Sequence, residues 1–127
     1  MTAAPVSLIR ERLLRLARVA REEFSNMLSE QPRLIGTRLR LSLTDGSFVD
    51  VRYPTDDEYS FHWEVRGQVY RINTAPHHPG PTFPRHVHLG SEERIVPDEI
   101  TSLGVTPEEN LRRVLDWVRK QLGRTDR

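Results

Sequence analysis

Between Arg38 and Asn73 the chain places an apolar residue at nearly every second position, and this period constrains the fold more than any other feature. Side chains on a strand alternate between faces, so such a segment predicts a sheet with one buried face and one open face. Arg38 to Leu43 sets Leu39, Leu41 and Leu43 on one side; Thr44-Asp45-Gly46 follows, then Phe48 to Tyr53. A two-residue Asp-Gly loop would put Leu41 opposite Asp50. A three-residue loop with Gly46 in the left-handed conformation puts Leu41 opposite Val49 and Leu39 opposite Val51. Only the second register keeps a single apolar face, so it is the one expected.

Tyr59 to Val65 repeats the pattern, with Tyr59, Phe61, Trp63 and Val65 facing one way and Ser60, His62 and Glu64 the other. Gly67 marks a tight turn into Val69 to Asn73. Either two-residue register places Tyr70 and Ile72 with the aromatics, and Arg71 and Asn73 on the face of His62. The predicted polar face therefore carries Ser60, His62, Glu64, Arg71 and Asn73. Residues 74–85 hold four prolines and a glycine and read as a stiff loop. His86 to Leu89 and Arg94 to Val96 read as short extended segments.

Helical periodicity brackets this region. Ile9, Leu13, Leu16, Ala20, Phe24 and Met27 fall within a stripe about 80° wide, predicting a helix over 7–30 that Pro32 ends. Arg10, Arg18 and Arg21 share another face, solvated by default, with a phosphate-tracking ridge as the alternative. Thr106, Pro107 and Glu109 have the spacing of a capped helix start, and Leu111, Val114, Leu115, Val118 and Leu122 make an apolar stripe before Gly123. The expected architecture is a single α+β domain over 1–127. It has a mostly antiparallel sheet of four to six strands and a His/Pro loop within 38–96, flanked by helices 7–30 and 107–122.

Composition removes several classes of function. Cysteine is absent, which excludes disulfides and thiolate-ligated metal or redox centres. No run approaches the roughly 20 apolar residues of a membrane span. The apolar stretch from Leu8 to Ala20 is broken by Arg10, Arg12, Arg15 and Arg18, unlike a signal peptide. A soluble, cytoplasmic protein with no membrane association is expected. The net charge is only +1, so no whole-molecule field advertises a nucleic-acid partner. Within residues 59–90, however, Arg66, Arg71 and Arg85 face Glu64 alone.

All five histidines lie between His62 and His88, in that locally positive segment. They admit three readings. In the first, His62, Arg71, His78, His86 and His88 are catalytic and His77, Arg85 and Asn73 bind substrate in a metal-independent phosphodiester-cleaving site. Imidazole serves as acid or base near neutrality, and the arginine fork matches phosphorane charge. In the second, His86, His88 and one of His77 or His78 hold a transition metal for a hydrolase. In the third, the histidines are hydrogen-bonding loop staples, and the protein is a non-catalytic binding module. The first is preferred, with no metal and no cofactor expected.

Tyr59-Ser60-Phe61-His62-Trp63, Ala75-Pro76-His77-His78-Pro79 and Thr82-Phe83-Pro84-Arg85-His86-Val87-His88 occur in that order. In this order and spacing the chain resembles the TumE family of type II toxin–antitoxin toxins. That family has a His-Trp pair on a short strand, an Ala-Pro-His-His loop and a Phe-Pro segment ending in spaced histidines. Two places depart from the pattern: Arg71-Ile72-Asn73-Thr74 stands where the family usually reads Arg-Trp-Asp-Asn, and Arg85 stands where it often has a further histidine. The resemblance implies a toxin whose cognate antitoxin is typically a helix-turn-helix DNA-binding protein. An action on RNA is inferred from the His and Arg content.

Overall fold

A computed structural model describes residues 5–74, 86–90 and 95–125. Among them the chain runs α1 (Val6–Glu23), a 3-10 turn (Ser25–Met27), β1 (Arg33–Ile35), β2 (Arg38–Ser42), β3 (Phe48–Thr55), β4 (Glu58–Val65), β5 (Gln68–Asn73), β6 (His86–Gly90), β7 (Ile95–Pro97) and α2 (Pro107–Thr125). All seven strands pair antiparallel with their chain neighbours, in the order β1 to β7. The protein is α+β, as expected, with a sheet one strand wider than the predicted four to six. The extra strand is β1, three residues immediately after Pro32.

The predicted β2–β3 register is present, and the β4–β5 hairpin takes one of its two expected registers, with Val65 paired to Gln68 across Arg66-Gly67. Leu41 pairs with Val49 and Leu39 with Val51. The loop between them closes through the Leu43 N–H on the Ser47 carbonyl at 2.9 Å, with Gly46 at φ 91. In the β4–β5 turn both central residues, Arg66 and Gly67, have positive φ. That conformation matches the right-handed strand twist and suits glycine, while Arg66 bears the strain.

The first helix ends at Glu23 rather than residue 30. Phe24 caps it, and the chain then joins the sheet: Leu28 bridges Leu43, and the Thr44 N–H donates to the Met27 carbonyl at 2.9 Å. Phe24 and Met27 stay on the core face without being helical, so the apolar stripe outlasts the helix that it suggested. At the other end α2 passes through Gly123 to Thr125. One glycine costs a helix only about 1 kcal/mol relative to alanine and does not by itself end it. The start of α2 follows the sequence, with Thr106 Oγ1 accepting from the Glu109 N–H at 3.1 Å.

Leu39, Leu41, Val49, Val51, Tyr53, Phe61, Trp63 and Ile72 are buried on one sheet face together with Leu13 and Leu16 of α1 and Leu111, Leu115 and Val118 of α2. Trp63 meets Trp117 edge to face, ring centroids 5.7 Å apart. Both helices therefore cover the same face. The buried polar groups on that side are satisfied. Asn110 Nδ2 donates to the Tyr53 hydroxyl and to the Ser102 carbonyl, both at 2.9 Å, and Asn110 Oδ1 accepts from the Ser102 N–H. Burial pushes the Tyr53 phenol well above its usual pKa, so it stays a neutral partner. Thr101 bonds both the Tyr59 hydroxyl and Asp98, fixing the entry into α2.

Candidate functional site

The opposite face follows from the same alternation. In β2 Arg38, Arg40 and Ser42 are half-buried while Leu39 and Leu41 are buried between them; in β4 Ser60, His62 and Glu64 alternate with Tyr59, Phe61 and Trp63 in the same way. The registers then line residues up across the strands. Arg33 stands opposite Arg40, Arg40 opposite Asp50, Asp50 opposite His62, His62 opposite Arg71, and Arg71 opposite His88. Residues directly opposite each other share a face with Cβ atoms about 5 Å apart, so the five described side chains from Arg33 to Arg71 form one row across the sheet.

An open concavity of about 320 Å³ sits on this face, lined by Arg38, Arg40, Phe48, Asp50, Arg52, Ser60, His62, Glu64 and Arg71. Four arginines face two carboxylates there, so the lining is cationic even with His62 neutral.

Asp50 organises the cationic end. Arg40 donates to it twice, Nε to Oδ1 and Nη2 to Oδ2, each at 2.9 Å, and Arg38 Nη1 lies 3.8 Å from Oδ2. Arg40 also lies over the Phe48 ring, its Cζ 4.0 Å from the centroid. The hydrogen bond to Asp50 raises the Arg40 pKa further above its ordinary value, so this guanidinium is charged at any physiological pH. Fork and ring together hold it in one plane. The Nε of Arg38 is buried with no hydrogen-bond partner among the described residues.

His62 marks the other end. Its Nε2 lies 3.3 Å from Glu64 Oε2, an ion pair only when the imidazole is protonated, and the His62 side chain is 29% exposed. An imidazole beside a carboxylate can take a proton from a ligand hydroxyl or give one to a leaving oxygen, and Glu64 holds it in orientation while it does so.

Of the residues singled out from sequence, His62 and Arg71 come together as a directly paired couple. Asn73 pairs with Ser60 at the margin of the row. The backbone registers of His86 and His88 set them opposite Asn73 and Arg71. His77, His78 and Arg85 lie outside the described residues. Sequence reasoning missed Arg38, Arg40, Phe48, Asp50 and Arg52, although the signal was present. Once Leu39, Leu41, Val49 and Val51 are assigned to the core, period 2 places all five on the face of His62. Among the described residues no group of three or more His, Asp or Glu could hold a metal ion, and no helix is long and apolar enough to cross a membrane.

Residues 8–122 match the model of a protein family described as Toxin TumE. No curated protein and no solved structure matches the chain.

Proposed function

Because the chain belongs to the TumE family of toxins, we propose that it is the toxin of a type II toxin–antitoxin pair and acts on RNA through the open face of its sheet. The observation that carries this reading is the cross-strand couple of His62 and Arg71 within a cationic concavity. RNA carries its own nucleophile, so cleavage needs few groups. A base takes the proton of the 2′-hydroxyl, and the 2′-oxygen attacks the adjacent phosphorus. An acid then protonates the departing 5′-oxygen, giving a 2′,3′-cyclic phosphate and a 5′-hydroxyl. In the proposed site His62 is one of the two proton-transfer groups, and His88 or His86 the other. The register sets the backbone of His88 roughly 10 Å from that of His62, with Arg71 between them. Arg71 faces the phosphate from that middle position, where its fork offsets the charge that develops on the phosphorane oxygens.

The remaining parts of the proposal are a cytoplasmic site of action and a cognate antitoxin that binds DNA through a helix-turn-helix. They rest on the family and on the resemblance rather than on the site. Purified protein incubated with single-stranded RNA in the presence of EDTA should produce 2′,3′-cyclic ends, and His62→Ala should abolish them. Cleavage that requires added metal would transfer the site to a metal-dependent hydrolase. Toxicity in cells that survives loss of His62 would leave a non-catalytic binding module.

A further inference from the structure

The proposed cleavage chemistry uses His62 and Arg71 and leaves Arg33, Arg38, Arg40 and Arg52 without a task. These four lie on the same sheet face as His62, on β1, β2 and β3. Three of them line the concavity, and Arg33 extends the row outward from Arg40. From Arg33 to Arg71 the row crosses four interstrand steps of about 4.8 Å, roughly 19 Å in all. One phosphate cannot occupy that length.

We propose that Arg33, Arg38, Arg40 and Arg52 form a track for the backbone of a single-stranded polyribonucleotide, holding phosphates that lie along the strand from the one at His62 and Arg71. This rests on the proposed action on RNA and names its substrate class: an extended single strand rather than a dinucleotide or a duplex. The cations form one narrow band across an open sheet, which matches one backbone. A duplex presents two, separated by a groove, and is read across both. Asp50 interrupts the band without repelling the strand, because both its oxygens are bound by Arg40. It acts as the positioning residue that keeps the Arg40 fork beside Phe48. Arg38, Arg40 and Asp50 make one rigid charged unit, while Arg33 and Arg52 are exposed and project as separate cations.

The test measures binding by fluorescence anisotropy to labelled oligoribonucleotides carrying 2′-O-methyl groups, which lack the nucleophile and stay intact on the unaltered protein. An octamer, a dinucleotide and a blunt hairpin are compared. The octamer should bind tightest. Arg33→Ala and Arg52→Ala should each weaken it about threefold to fivefold and flatten its salt dependence by about 0.7 in log–log slope, leaving the dinucleotide unchanged. Equal losses on octamer and dinucleotide, no loss on either, a preference for the hairpin, or no binding of the octamer would each overturn the track. An acidic protein segment that binds in place of the octamer, with the same arginine dependence, would also overturn it. Cleavage of an unmodified octamer is read separately. Binding without cleavage removes the catalytic reading and keeps the track, whereas cleavage with equal efficiency on dinucleotide and octamer does the reverse.

Discussion

Phe61 and His62 are neighbours in β4, yet Phe61 is 2% exposed in the core and His62 lies on the open face beside Arg71. The whole sheet divides in this way. On the covered face the buried polar atoms of Tyr53, Tyr59, Asn110 and Thr101 all find partners, and two helices exclude water. On the open face the described row sets three arginines against the single carboxylate of Asp50, and no described helix lies over it. One face stabilises the fold, and the other carries the proposed binding site. Substitutions on the two faces should therefore separate stability from activity.

Phe61 and His62 give the largest and most direct contrast. Phe61→Ala should cost about 3–5 kcal/mol of unfolding free energy, read from urea titration followed by circular dichroism. His62→Ala should change stability by less than about 0.5 kcal/mol while removing at least about a hundredfold in RNA cleavage rate. Similar stability losses in both would mean that His62 is a structural group.

Asn110 tests the covered face more finely. It is fully buried and joins the start of α2 to Tyr53 in β3 and to Ser102. Asn110→Ala leaves the Tyr53 hydroxyl and the Ser102 N–H without partners and should cost about 2–3 kcal/mol. Adding Tyr53→Phe should recover part of that loss, because it removes the orphaned hydroxyl. If the double variant is no more stable than Asn110→Ala alone, the hydroxyl is not the source of the cost.

The same test applied to the open face is Asp50→Asn. It keeps the shape but removes the charge that binds Arg40 and Arg38, and a partly exposed pair of this kind should cost about 1–2 kcal/mol. RNA affinity should not fall in proportion, since two guanidinium groups are released towards the ligand. A large drop in affinity would show that fixing the Arg40 fork matters more than freeing its charge.

The division into two faces was legible in the sequence because period 2 carries it directly and the glycine turns fix the register. Gly67 puts Arg71 and Asn73 on the face of His62 in either turn register, and the structure then selects the register that sets His62 opposite Arg71. The row was only half legible. Arg40 and Asp50 follow from the β2–β3 register, but an isolated pattern of charged residues between leucines reads as a solvated face until the strands are set side by side. The strand β1 was invisible for a different reason. Three residues are too few for periodicity to register, and the helical stripe ran through Phe24 and Met27 towards it. There, pairing of Met27 and Leu28 with residues at the end of β2 overrides helical spacing. Gly123 shows the reverse, an expected stop that the helix runs through because a single glycine costs it little.

The smallest expected effect lies away from both faces, where the helices meet. Arg112 of α2 donates from Nε and Nη2 to Glu23 at the end of α1, at 2.9 and 2.8 Å. Those hydrogen bonds hold the Glu23 carboxyl below its ordinary pKa, and Arg112 is raised in return. A carboxyl depressed in the folded state adds stability that is fully present above its unfolded pKa, near 4.3, and that fades as pH falls through the lower folded value. Glu23→Gln should therefore lower the unfolding midpoint slightly at neutral pH, and the gap from the unaltered protein should close as the solution is acidified. High salt should narrow the same gap at neutral pH, because the pair is exposed to solvent. A gap that stays constant from neutral to acid would mean that Glu23 contributes through packing on α2 and not through charge. The helix pair would then be held together by its apolar stripe and by the looser pair of Arg15 and Glu108, 3.7 Å apart.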